Sequence, residues 1–194
     1  KIESIVDRFP SHITIAYLPS LSQVRLRLTA VGTDETNLQK EIMTFSDEIA
    51  AELGNVVYGY DELSLSKCIG QLANEKNLKI GTAESCTGGL VASRIVETPG
   101  SSAYYEGSVV SYSYEIKEGL LGVKKDTLLN HGAVSEETVI EMVKGLIDLT
   151  GVDVGLSISG VAGPGGGTED KPVGTAWIAC GTKDNIKTLK ILAG

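Results

Sequence analysis

Histidine is scarce in this chain: His12 and His131 are the only two in 194 residues. A His-based metal centre or a Ser-His-Asp triad is therefore hard to assemble. Cysteine is scarce too. Cys68, Cys86 and Cys180 are odd in number, widely spaced and contain no C-x-x-C, which argues against a disulfide framework and a structural zinc site. A reducing cytoplasm is the expected home. Basic runs are missing, and the net charge is −8, which speaks against non-specific binding to nucleic acid or to an anionic membrane. No apolar stretch approaches the ~20 residues that span a bilayer. No secretory signal is visible. The chain starts at Lys1 without a Met, so a piece of a longer protein is expected.

What remains is enough for a real core, with a hydrophobic fraction of 42%. Residues 1–62 read as a first, small domain. Ile13 to Leu18 suits a strand. Val24-Arg25-Leu26-Arg27-Leu28 alternates apolar and charged, as a half-exposed strand does. Thr33 or Asp34 can cap a helix, along which Leu38, Ile42, Phe45, Ile49 and Leu53 form one stripe. Gly54 would stop it, and Asn55 to Tyr60 would return as a strand. This β-β-α-β unit holds five Lys/Arg against ten Asp/Glu.

Residues 63–194 read as a second domain of alternating helix and strand, an α/β pattern with a largely parallel sheet covered on both sides. Ser64 can cap a helix carrying Leu65, Ile69 and Leu72. Leu78 to Ala83 suits a strand. Gly88 to Glu97 suits a helix with Leu90, Val91 and Ile95 inward, ended by Pro99-Gly100. Ser108 to Tyr112 is expected as a strand, and Ser135 caps a long helix to Leu149. Val154 to Ile158 is another strand. Val173 to Cys180 and Ile186 to Leu192 form a hairpin at one edge. That hairpin and the small first domain would suit a homodimer, which nothing in the sequence specifies.

The chemistry falls at the turn Thr82-Ala83-Glu84-Ser85-Cys86-Thr87-Gly88-Gly89. Ser85 lies between a strand and a helix, where open α/β sheets bind ligands. Free N–H groups at a helix start can hold an anion or a developing oxyanion, and glycines admit close approach. A plain helix cap is the competing reading. Serine needs a base. With histidine scarce, Lys117 is the candidate, provided burial lowers its pKa, with Tyr112 relaying the proton or fixing the geometry. The competing reading is a surface lysine. Cys86 is a rival nucleophile, or simply a small buried residue. The loop from Ser159 through Gly163 to Gly167 could wrap a phosphate or ribose, but no Gly-Lys-Ser/Thr makes it a P-loop.

The turn at Ser85 is followed in order by Pro99-Gly100-Ser101-Ser102, Tyr112-Ser113-x-Glu115-x-Lys117, His131-Gly132-Ala133-Val134-Ser135, Ser159-Gly160-Val161-Ala162-Gly163-Pro164 and Lys171-Pro172-Val173-Gly174-Thr175. This succession strongly resembles the C-terminal domain of the CinA family, the nicotinamide mononucleotide deamidases of bacterial pyridine-nucleotide salvage, over about residues 64–194. The resemblance implies a three-layer α/β/α domain with a mostly parallel mixed sheet, preceded by a small α+β, KH-like domain. It implies hydrolysis of nicotinamide mononucleotide to nicotinate mononucleotide and ammonia. Ser85 would be the nucleophile, Lys117 its base and Tyr112 an assistant. Thr87, Gly88 and Gly89 would offer amides to an oxyanion or phosphate, and Ser159 and Gly163 would contact substrate. No cofactor and no metal are expected. A non-catalytic, nucleotide-binding regulator in competence or DNA damage is the alternative. The KH-like segment lacks G-x-x-G and is acidic, which weighs against RNA. Full-length members carry a further N-terminal domain, and the family continues past Gly194 with an Asp-Arg pair and a closing helix.

Overall fold

Strands β1 (Ile13–Ser20) and β2 (Gln23–Ala30) pair antiparallel in the first of two compact units, Lys1–Tyr60 and Asp61–Gly194, of the computed structural model. It describes residues 1–20, 23–61 and 63–193. Glu62 and Gly194, at the expected domain boundary and chain end, lie outside the described residues. Helix α2 (Glu35–Leu53) starts at Asp34, whose carboxylate accepts the Asn37 N–H at 3.1 Å, and stops at Gly54 with φ +62°. Asp34, not Thr33, is thus the cap. One expectation fails here. Asn55 to Tyr60 forms no strand; a 3-10 turn at Gly54–Val56 follows the helix instead. Val56 and Tyr60 stay exposed, so the segment gains no apolar burial to set against the cost of ordering it as a strand. A short helix α1 (Glu3–Val6) was not anticipated. Ile2, Ile5, Val6 and Phe9 already carry the i, i+3, i+4, i+7 spacing that drives it onto Ile49, Phe45 and Leu53.

The second unit is built on one five-stranded sheet of order β4-β3-β5-β6-β7. Its strands are β3 (Ile80–Glu84), β4 (Tyr105–Val110), β5 (Val154–Gly160), β6 (Thr175–Gly181) and β7 (Ile186–Leu192). β4, β3 and β5 run parallel; β6 and β7 return antiparallel as the edge hairpin. Helices α5 (Tyr114–Leu121), α6 (Lys125–His131) and α7 (Glu136–Thr150) lie on one face. There Leu121, Leu128, Met142 and Leu146 bury Ala83, while Val139, Val143 and Ile147 bury Ala179. Helices α3 (Leu65–Glu75) and α4 (Leu90–Val96) lie on the other face, where Ala73, Ile95 and Tyr104 enclose Ile80 and Tyr105. The result is a three-layer α/β/α domain with a mixed sheet.

Several local expectations shift. β4 begins three residues earlier than expected and ends before Ser111, whose N–H turns to the Glu84 carbonyl at 2.7 Å. Ser64 caps α3 as expected, but Leu65, Ile69 and Leu72 are exposed and the buried face carries Gly70 and Ala73. The reason is close packing. A Cβ on Gly70 would lie 2.6 Å from the Tyr104 hydroxyl, so only a small residue lets the helix sit this near. Likewise Leu90 on α4 points outward, and Ile95 alone of the expected trio is fully buried. Helices α5 and α6 fill the stretch between β4 and α7, and α6 ends at His131.

Candidate active site

Ser85 directly follows β3, and its N–H donates to the Ile158 carbonyl of β5 at 3.0 Å. Strand alternation separates it from its neighbour. Ala83 packs toward α5 to α7, and so does the position of Ser85, two residues on. Glu84 faces the opposite layer and is fully buried. Its carboxylate accepts from Thr87 Oγ1 at 2.7 Å and from the N–H groups of Gly89, Val91 and Ala92 at 3.0, 3.0 and 2.8 Å. Burial would raise the Glu84 pKa, but these donors outweigh it and the net shift is downward. The turn between Ser85 and α4 needs left-handed backbone at Gly88 (φ +60°) and Gly89 (φ +100°), which glycine adopts without strain.

Lys117 approaches from α5. Ser113 caps that helix by accepting the Ile116 N–H at 3.3 Å, and Lys117 lies one turn further on. Its side chain has 0% exposure. Nζ contacts Ser85 Oγ at 2.9 Å, the Ser111 carbonyl at 2.5 Å and the Tyr112 carbonyl at 3.3 Å. All three partners are neutral oxygens, so nothing compensates an ammonium charge. Burial pulls the Lys117 pKa down from 10.5 to about 8, slightly opposed by the Cys86 sulfur. At neutral pH roughly one-tenth of such an amine is unprotonated, against far less for a free lysine.

The other expected residues divide. Tyr112 reaches Lys117 through its carbonyl; the residue is 76% exposed. Ser159 is buried on β5 and extends the register in which Ala83 pairs with Ser157 and Glu84 with Ile158, which puts it beside Ser85. Thr87 spends its hydroxyl on Glu84. The Gly88 N–H donates to the Ser85 carbonyl at 3.1 Å and the Gly89 N–H to Glu84, so both amides already have protein acceptors. The N–H groups of Cys86 and Thr87 take no oxygen acceptor among the described residues. The Cys86 thiol pKa is raised, chiefly by burial, which keeps it protonated and poorly nucleophilic. Gly163 sits in the loop after β5 at φ +81°, its Cα hydrogens toward Val173, and no hydrogen bond joins it to Ser85 or Lys117. Lys171 does bring that loop to α6, donating to the His131 carbonyl at 2.5 Å.

Two participants went unread in the sequence. The Ser111 carbonyl holds Lys117, which no side-chain pattern announces. Glu84 stood inside the turn without a role, although an acid ending an apolar strand just ahead of a helix is the arrangement that collects free N–H groups.

Residues 62–193 match the family model described as the CinA C-terminal domain, and residues 1–59 that of the damage-inducible protein CinA KH domain. A CinA-like protein of Cytophaga hutchinsonii is 46% identical over 182 residues, covering 94% of this chain and 44% of that protein. A putative competence-damage inducible protein of Halothermothrix orenii is 40% identical over 192 residues, covering 98% and 46%. The chain thus spans less than half the length of these relatives. Among solved structures, the competence/damage inducible protein CihA of Agrobacterium tumefaciens aligns with TM-score 0.65 and 36% identity, over 67% of this chain and 79% of that one. A CinA superfamily protein of Klebsiella pneumoniae aligns with TM-score 0.63 and 37% identity, over 65% and 79%.

Proposed function

The chain belongs to the CinA family, and we propose that its second unit is a serine-lysine amidohydrolase that converts nicotinamide mononucleotide to nicotinate mononucleotide and ammonia. The observation that carries the reading is the 2.9 Å contact between Lys117 Nζ and Ser85 Oγ in a buried setting. The Ser111 and Tyr112 carbonyls can only accept, so a neutral Lys117 gives them its two N–H bonds. Its lone pair is then left for Ser85, whose hydroxyl becomes the donor. That is the arrangement a general base needs.

The steps follow from it. Ser85 Oγ attacks the carboxamide carbon and passes its proton to Lys117. The oxyanion meets the N–H groups of Cys86 and Thr87, which have no oxygen acceptor among the described residues to give up. Lys117 returns the proton to the leaving nitrogen, the C–N bond breaks, and ammonia departs from an acyl-enzyme on Ser85. Water, deprotonated by Lys117, then releases the carboxylic acid. The nicotinamide mononucleotide assignment comes from the family resemblance, with Ser159 and the Gly163 loop as substrate contacts. Ammonia release from nicotinamide mononucleotide by the purified protein tests it; a protein that binds the nucleotide and releases no ammonia overturns it. The names of the relatives, competence-damage inducible protein among them, favour a second reading as a nucleotide-binding regulator, which that same outcome would support.

A further inference from the structure

Glu84 takes part in none of these steps, yet it is hydrogen-bonded to the turn that carries Ser85 and to Ser111, whose carbonyl holds Lys117. Its carboxylate holds Thr87 Oγ1, Ala92 N, Gly89 N and Val91 N at 2.7 to 3.0 Å, with the Thr82 and Ser108 hydroxyls at 3.4 Å. That pins the turn on which Ser85 sits. Its backbone carbonyl takes the Ser111 N–H at 2.7 Å and the Ser111 hydroxyl at 3.4 Å. That pins the residue whose own carbonyl holds Lys117 at 2.5 Å. We propose that Glu84 is a positioning residue that sets the Ser85–Lys117 distance from both sides; this rests on the reading of Ser85 as nucleophile and Lys117 as base.

A carboxylate is required here because each of the six groups around it offers, or can offer, a hydrogen. An ionised carboxyl is acceptor-only on both oxygens. Glutamine would place an NH2 against backbone N–H groups and orphan some of them, and aspartate is one methylene short. The ionised carboxylate also answers the partial positive charge at the start of α4. An anionic part of a substrate is therefore repelled from that helix start, and the carboxamide is left to the Cys86 and Thr87 amides. A displacement of Ser85 by about an ångström costs on the order of 10²-fold in rate, so loosening this anchor is read at the chemical step.

The test uses the full chain and a fluorophosphonate probe. Ser85 Oγ bonds to phosphorus, fluoride leaves, and the serine proton passes to Lys117 and on to solvent. Labelling rates are measured from pH 6 to 10 for the parent, Glu84→Gln and Thr87→Val, with the folded fraction followed by circular dichroism at the same temperature. The expected result is a loss of about 10²-fold for E84Q at saturating probe, with the pH midpoint moved upward as Lys117 gains water. T87V, which loses only the 2.7 Å bond, should shift both quantities less and in the same direction. It decides the matter if E84Q does not fold. Labelling at the parent rate in the folded variants, or a loss equal to the unfolded fraction with an unmoved midpoint, overturns the positioning role. A parent that is not labelled at all overturns the Ser85 nucleophile itself, and the inference with it.

Discussion

Lys117 Nζ stands 2.9 Å from Ser85 Oγ, while the thiol of Cys86, the next residue along the chain, is pushed toward its protonated form by burial. One turn thus presents two nucleophile types, and the lysine amine lies on the oxygen. Ser85→Ala should abolish ammonia release, by on the order of 10⁴-fold or more as for loss of a nucleophile in other serine hydrolases. Cys86→Ser should retain most of it. Measuring kcat for the two variants separates serine from thiol chemistry. The opposite ranking would move the mechanism to Cys86.

The pH dependence follows from Lys117. Its pKa of about 8 makes the unprotonated amine, the active form under the proposed mechanism, accumulate as pH rises. The rate kcat/KM should climb from pH 6 and level off above about 8 to 9. Lys117→Arg, permanently charged, should be inactive across the range. A profile that is flat from pH 6 to 9 would exclude Lys117 as the base.

The same shift has a stability consequence of fixed sign. The folded-state pKa lies below the unfolded value of 10.5, so between about 8 and 10.5 the unfolded chain binds the extra proton. Parent stability should therefore rise across that window relative to Lys117→Met. The burial cost of the charged lysine is fully present below pH 8. The difference amounts to about 3 kcal/mol at most, and denaturant melts of both proteins at pH 7 and pH 10 measure it. Parallel curves for parent and variant would show that Lys117 is not desolvated.

Helix α7 crosses α5 at Gly145, where a Cβ would come within 1.7 Å of the Leu121 carbonyl oxygen. The obstacle is backbone, so no side-chain rotation relieves it. Gly145→Ala should destabilise the second unit by about 3 kcal/mol or more. It should also lower activity in the fraction that folds, because α5 carries Lys117. Thermal denaturation and kcat on the soluble protein check both. An unaltered melting temperature would mean that the two helices can separate at no cost.

The α/β alternation, the edge hairpin and the caps Asp34, Ser64 and Ser135 were legible in the sequence. Each is local: it depends on residues within one or two turns. The candidate nucleophile was legible for the same reason, as a serine between an apolar strand and a glycine pair. Which side of a helix faces in was not. Leu65, Ile69 and Leu72 form a regular apolar stripe, yet Gly70 and Ala73 face the core, because Tyr104 leaves room only for small residues. Nor could the sequence say that Lys117 is buried. Its own neighbours, Glu115 and Glu118, look like a surface helix. The lysine is enclosed because α7 closes over α5 and the Ser111 and Tyr112 carbonyls turn inward. Residue types and their order thus determined by themselves the elements and the chemistry on offer at Ser85. The pairing of Ser85 with Lys117 across 32 residues, and the desolvation that gives the lysine a usable pKa, came only from the tertiary structure. Distance and burial are properties of packed layers and leave no local pattern in the chain.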